Sequence, residues 1–206
     1  MHKGLFVAFE GLDGCGKSVT AKLVAKKLEE NGYKVILTRE PGGTEIAEKI
    51  RNIILEDHET EKLEPTAEAL LFAAARAQHT LTKIQPKVDE GYIVISDRWL
   101  ASSLAYQGYA RALGVRAVEN INDFGIRNYR PDIQYFLDTP VEVCQQRINK
   151  RKEKDRMEEE DNIFYHNIYN YFIQDFNTNN YVKRINGNKS LEEIVSIIYD
   201  DILAHI

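Results

Sequence analysis

Residues 11–18 read GLDGCGKS and complete the pattern G-x-x-x-x-G-K-[ST]. In that pattern glycines turn backbone N–H groups inward around a polyphosphate, the lysine reaches the transferred phosphate and the hydroxyl ligates Mg2+. An apolar run, Leu5 to Glu10, precedes the loop, and a helical pattern from Lys17 to Asn31 follows it. The order strand, glycine loop, helix sets the phosphates at a helix N-terminus, where backbone donors and the helix dipole favour anions. Gly11, Leu12, Asp13, Gly14, Cys15, Gly16, Lys17 and Ser18 are thus the candidate nucleotide-phosphate loop, with Lys17 catalytic and Ser18 a metal ligand. Cys15 lies beside Lys17 at the helix start, where a thiol pKa can fall; a redox role and an inert filler residue both fit that position.

Outward from the loop, short apolar runs alternate with longer helical patterns, as in βαβ units stacked around a parallel sheet. The runs are Leu5 to Glu10, Val35 to Arg39, Tyr92 to Asp97, Ile133 to Asp138 and Tyr181 to Ile185. All are continuous rather than alternating, so each is expected to be covered on both faces. Helical spacing fits Lys17 to Asn31, Thr44 to Leu55, Thr66 to Glu90, Ser102 to Leu113, Val115 to Arg127, Val141 to Lys154, Asn162 to Phe176 and Leu191 to Leu203, with Gly32, Gly91 and Gly114 at stops.

Three further constellations narrow the chemistry. Ser96-Asp97-Arg98-Trp99 ends the third run, placing an acid and a guanidinium at the carboxyl edge of a central strand, where ligands of open parallel sheets bind. Asp97 suits Mg2+ held through water and Arg98 an acceptor phosphate; the bland reading is a local ion pair. Phe72 and Arg76 stand four residues apart on one helix face, as a stacking platform and a donor to a base, although Phe72 taken alone reads first as core packing. Thr38 to Thr44 (TREPGGT) forces a turn after the second run and brings Arg39 towards the sheet edge. Arg51 is a second candidate for the acceptor phosphate, and both arginines also fit solvated surface positions.

The 206 residues carry 43% hydrophobic and 29% charged side chains, the composition of a folded globular chain. A net charge of −5 argues against nucleic-acid polymers as partners, and no run is long enough to span a membrane. Two cysteines exclude a disulfide scaffold, so a cytoplasmic, reducing setting is expected. Against the acidic total stands a basic run holding Arg147, Lys150, Arg151, Lys152, Lys154 and Arg156, which reads as a phosphate-closing lid or as a solvated helix face. Asn188-Lys189-Ser190-Leu191 lacks the carboxylate of a guanine-reading N-K-x-D segment, which argues against a GTPase. Asp123-Phe124-Gly125 lies in a helical pattern with no protein-kinase catalytic loop.

Together, FEGLDGCGKS at 9–18, TREPGGT at 38–44, LLFAAARAQH at 70–79, SDRW at 96–99, SSLAYQGYA at 102–110 and DRMEEED at 155–161 resemble the thymidylate kinases among the P-loop nucleoside monophosphate kinases. The resemblance runs over nearly the whole chain. It implies an α/β, three-layer P-loop NTPase fold with a five-stranded parallel sheet flanked by helices, one domain over 1–206 and a short basic lid at about 147–160. It further implies a homodimer and transfer of the ATP γ-phosphate to dTMP with Mg2+. By position, Phe72 would stack on thymine, Arg76 would bond its O4, and Gln107 and Ser103 would complete base recognition. Asp13 would accept from the sugar 3′-OH, Tyr106 would crowd the 2′ position, and Arg39, Arg51 and Arg98 would surround the acceptor phosphate. The family's lid-arginine style is implied by Gly14 after Asp13 and by Arg151 and Arg156 in the lid; Arg147 and residues 186–189 would face adenine. Trp99 stands where the family usually has Tyr or Phe, and Ala75 where a polar residue is frequent. Kinases of other monophosphates or deoxynucleosides, a GTPase switch and a catalytically dead ATP-binding module are the alternatives.

Overall fold

A computed structural model describes residues 4–56, 60–151, 156–157, 160–176 and 182–206. Five parallel strands form one sheet in the order β2-β3-β1-β4-β5: β1 (Leu5–Glu10), β2 (Val35–Arg39), β3 (Ile93–Asp97), β4 (Ile133–Asp138) and β5 (Val182–Asn186). The helices are α1 (Lys17–Glu30), α2 (Glu45–Leu55), α3 (Pro65–His79), α4 (Gln85–Asp89), α5 (Leu100–Ser103), α6 (Val115–Ile126), α7 (Val141–Asn149), α8 (Asn162–Phe176) and α9 (Leu191–Leu203). This is the expected α/β, P-loop NTPase architecture. Of the sequence-based expectations, Tyr181, lid residues 152–155 and 158–159, and the Asn-rich stretch 177–180 lie outside the described residues.

Both faces of β1 are covered. Leu5, Val7 and Phe9 join a core with α1, α8 and α9, whereas Phe6 and Ala8 join a second core with Ile84, Val94, Trp99, Leu100 and Ile126. β1, β3 and β4 are accordingly buried along nearly their whole length. The expectation of two-sided burial fails for β2 and β5, which close the sheet as edge strands and are only partly covered. There Leu37 is exposed, and Lys183 and Arg184 pair with Asp201 and Asp138. The parallel register aligns Arg39 and Phe9 with Asp97, and Glu10 with Phe136, so the polar strand ends share one edge.

Two spans expected as continuous helix are interrupted by wider turns. After α3, residues Thr80–Ile84 form a π-turn in which Gln85 N–H donates to the Thr80 carbonyl five residues back. Pro86 has no N–H to continue the α-helical ladder, and the Thr80 and Thr82 hydroxyls take up the Arg76 and Gln78 carbonyls at 2.7 and 2.6 Å. After α5, residues Leu104–Ala110 widen likewise, with Arg111 N–H bonded to the Tyr106 carbonyl. Such bulges re-aim side chains, and this one carries Tyr106 and Gln107.

Candidate active site

The loop between β1 and α1 follows the conformation its glycines permit. Gly14 has φ 79°, and a Cβ there would lie 2.4 Å from the Cys144 carbonyl oxygen; Gly16, which precedes α1, has φ 101°. No L side chain suits Gly14 on either count. Lys17 is buried, and its Nζ donates to the Leu12 carbonyl at 3.1 Å and lies 3.5 Å from Asp13 Oδ1. Ser18 is exposed at the first turn of α1. Arg147 Nη1 caps the loop from α7 by donating to the Gly14 and Cys15 carbonyls at 3.1 and 3.3 Å. Cys15 is buried, and burial pushes its thiol up despite Lys17; Cys144 is pushed up to about 12 by burial and by Cys15. The lowered thiol pKa considered for Cys15 is therefore corrected: the helix start favours a thiolate, but desolvation outweighs it.

At the end of β3, Arg98 adopts φ 75°, a left-handed conformation that costs an ordinary residue about 1–3 kcal/mol. Its own N–H bonds the Phe9 carbonyl and its carbonyl takes the Ser96 hydroxyl, both at 2.8 Å, which holds the turn. The guanidinium then reaches the Gly11 carbonyl at 2.9 Å, Ser102 at 2.8 Å and Asp13 at 2.6 Å. Tyr106 donates its hydroxyl to Asp13 Oδ2 at 2.9 Å. Burial alone would raise the Asp13 carboxyl, but Arg98, Lys17 and these hydrogen bonds hold it well below the usual carboxylate range. Beneath them Glu10 is buried and accepts from the Trp99 N–H at 2.9 Å and Ser102 at 2.5 Å; burial outweighs these partners and raises its pKa. Asp97 Oδ1 is buried with no hydrogen-bond partner among the described residues. Asp97 and Ser18 border the same cavity, and a carboxylate with a hydroxyl is a hard-oxygen donor set that fits Mg2+, which takes one or two carboxylates and completes its shell with phosphate and water.

Across the cavity, Arg76 of α3 is buried among four partners. It donates to Glu40 Oε2 at 2.6 Å, Asn122 Oδ1 at 2.5 Å, Ser103 Oγ at 2.9 Å and the Trp99 carbonyl at 3.4 Å. Glu40 also meets His79 Nδ1 at 3.0 Å, and His79 Nε2 meets Thr38 Oγ1 at 2.7 Å. The turn 40–43 is pressed against this chain: a Cβ on Gly43 would lie 2.3 Å from His79 Nε2. Phe72 belongs to neither core and lines the cavity, which decides against plain core packing for it. Arg39 pairs with Glu48 at 2.9 Å, and Arg51 Nη1 donates to the Pro41 carbonyl at 2.8 Å. Trp99 is fully buried in the second core, edge-on to Phe6 at 4.9 Å; its ring lies under the Arg76 guanidinium, 5.6 Å from the centroid, while its backbone carbonyl and N–H meet Arg76 and Glu10.

One cavity of about 600 Å3 lies between the P-loop and the Arg76 cluster. Asp13 to Ser18, Arg39, Arg51, Phe72, Arg76, Asp97, Arg98, Ser103, Tyr106, Gln107, Arg147 and Arg151 all border it, whereas Gly11 and Leu12, at the start of the loop, are buried away from it. Arg156 is placed elsewhere: its guanidinium bonds the Ile54 carbonyl at 3.0 and 3.1 Å and Glu68 Oε2 at 2.6 Å. Glu10, Glu40, Glu68, His79 and Asn122 were not legible as site residues. Glu10, Glu40 and His79 fall within the motifs at 9–18, 38–44 and 70–79, but their spacing alone gives none of them a role; a buried carboxylate at a strand end, as at Glu10, is the one general signal.

The sequence model of the thymidylate kinase family matches residues 9–198. Thymidylate kinase from Finegoldia magna is 45% identical over 192 residues, covering 93% of this chain and 94% of that protein. Its counterpart from Lactobacillus acidophilus is 47% identical over 175 residues, covering 84% and 81%. The crystal structure of thymidylate kinase from Ehrlichia chaffeensis superposes with a TM-score of 0.77 at 28% identity, covering 97% of this chain and 98% of that one. With a P-loop, an Asp-Arg strand end and the Arg76 cluster around one cavity, and with relatives this similar along nearly its full length, the chain belongs to the thymidylate kinase family.

Proposed function

We propose that the protein transfers the γ-phosphoryl group of ATP to dTMP, giving dTDP and ADP. The observation that carries this reading is the single cavity that joins the P-loop, with Lys17 and Ser18, to Phe72, Arg76 and Gln107. A donor nucleotide on the loop and a pyrimidine monophosphate on α3 would point their phosphates at each other near Arg98.

In this reading the loop amides and Lys17 hold the ATP phosphates, and Arg147 borders the adenosine side. Phe72 stacks on the base, and Arg76, Ser103 and Gln107 read its edge. Asp13 accepts from the sugar 3′-hydroxyl, and Tyr106, fixed by Asp13, crowds the 2′ position. Arg39, Arg51 and Arg98 surround the acceptor phosphate. Ser18 and Asp97 would hold Mg2+, which would supply positive charge against that of the phosphates. Because the transferred group passes through a loose transition state, these residues align and neutralise, and no covalent phospho-enzyme is required. Arg151 approaches as the lid cation; Arg156 would need to leave Glu68 and Ile54 to join it. We also propose that residues 1–206 act as one unit whose lid spans about 147–160.

Exposed Ile46 and Ile53 on α2, Leu70 on α3 and Phe124 on α6, the last 90% exposed, support pairing with a second copy through these helices. No helix among the described residues is long and apolar enough to cross a membrane. A panel of dTMP, dUMP, dCMP, dAMP, GMP and thymidine with Mg·ATP, followed by ADP release, tests the assignment. The highest kcat/KM is expected for dTMP. Faster turnover of thymidine or of a purine monophosphate would replace it with the reading of a deoxynucleoside kinase or another monophosphate kinase.

A further inference from the structure

Glu68 is a fully buried carboxylate on α3, yet it lies outside the cavity lining. Oε2 takes Arg156 at 2.6 Å, and Arg111 approaches both oxygens at 3.4 and 3.5 Å. Oε1 also accepts from Gln107 Nε2 at 2.9 Å. Gln107 is itself buried and borders the cavity from the π-turn after α5. An amide side chain can present either its NH2 or its carbonyl in the same volume, and its neighbours decide which. A carboxylate facing two guanidinium groups accepts hydrogen bonds and has none to give. It therefore holds the NH2 end of Gln107, and the carbonyl oxygen Oε1 is the polar atom that remains for the cavity.

Beside it Arg76 is donor-only. The site thus offers a base edge one donor and one acceptor. A 4-oxo pyrimidine, with O4 accepting and N3–H donating, matches both; a 4-amino pyrimidine, with a donor at position 4 and a bare N3, opposes both. A flipped Gln107 amide would face that bare N3 with a donor and relax the discrimination.

We propose that Glu68 is a positioning residue for specificity, which locks the Gln107 amide so that the site selects 4-oxo over 4-amino pyrimidine monophosphates. Arg111 and Arg156 neutralise its charge, so the described part of the lid shares a carboxylate with the base-reading amide. The inference rests on the proposed placement of the acceptor base between Phe72, Arg76 and Gln107.

The test compares kcat/KM for dTMP and dCMP in the native enzyme, in Glu68→Gln and in Glu68→Asp. Glu68→Gln keeps the shape but supplies an NH2 that can donate to a flipped Gln107. The dTMP-over-dCMP preference should fall about tenfold or more, with dCMP gaining in absolute kcat/KM, which a merely loosened fold would not produce. Glu68→Asp remains acceptor-only and should keep the preference even where the rate for both substrates drops. Equal losses for both substrates in Glu68→Gln overturn the inference while leaving the base placement intact. Should Glu68→Gln fail to fold, loss of the preference in Glu68→Asp overturns it equally. A native enzyme that fails to prefer dTMP over dCMP overturns the base placement itself, and this inference with it.

Discussion

On the α3 side of the cavity, Thr38, His79, Glu40 and Arg76 bond one another in a continuous buried chain of hydrogen bonds, with Asn122 and Ser103 accepting further guanidinium N–H groups. On the P-loop side, Ser18 is exposed, Asp97 Oδ1 has no partner among the described residues, and Arg147 donates to loop carbonyls. The two sides meet at Asp13 and Arg98. Their difference follows from what each would hold. A neutral base edge offers few hydrogen bonds, so the groups that read it must be fixed in advance, at a cost met by burial and mutual pairing. A polyphosphate with its metal brings several charges and satisfies open donors and acceptors on arrival.

That contrast can be broken most sharply on the P-loop side. Lys17→Ala should lower kcat by about 10²- to 10³-fold, since a transition-state cation is removed, with a smaller loss of thermal stability than at Arg76, since Asp13 keeps Arg98 and Tyr106. Near-normal turnover in steady-state assays would remove Lys17 from the transfer step. On the other side, Arg76→Ala should cost stability as well as substrate affinity. It strands the buried Glu40 carboxylate, and breaking such a pair destabilises by about 3–5 kcal/mol. Denaturant unfolding should show that loss, and KM should rise far more for dTMP than for ATP; equal rises would show that Arg76 does not face the acceptor.

At the junction, Asp13→Asn sharpens the comparison through pH. The native carboxyl is held below its unfolded value of about 3.9, so its pairing contributes stability above that pH and loses it as pH falls towards the lower folded value. Melting temperatures of the native protein should therefore fall through this acid range more steeply than those of Asp13→Asn. The smallest effect is expected from Cys15→Ala, with kcat/KM within about twofold of native, because a buried thiol of raised pKa has no role in transfer. Alkylation of the native protein at neutral pH should likewise be slow, and fast only after denaturation.

Pattern alone carried the P-loop, since glycine geometry and the Lys-Ser pair are local demands met by adjacent residues. The same holds for the alternation that made five runs into strands, with errors where the reading needed the position in the sheet. Val35 to Arg39 looks as apolar as the central runs, yet as an edge strand it leaves Leu37 exposed. The helical patterns at Thr66 to Glu90 and Ser102 to Leu113 concealed two π-turns, the first set by Pro86 and threonine hydroxyls whose effect on hydrogen-bond register is not a matter of hydrophobic spacing. Phe72 shows the limit for site residues: its four-residue spacing from Arg76 was visible, but whether it faced a core or a cavity was not.

The sequence by itself determined the fold class, the phosphate loop and which cations and aromatics were candidates, because each depends on neighbours within a strand, turn or helix. Only the tertiary structure decided how the buried charges are shared. Glu40 joins Arg76 and His79 across 36 and 39 residues, Glu10 holds Ser102 across 92, and Glu68 collects Gln107 and Arg156 across 39 and 88. Pairings at such separations are fixed by strand order and helix packing, and a buried carboxylate takes whichever donors that packing delivers.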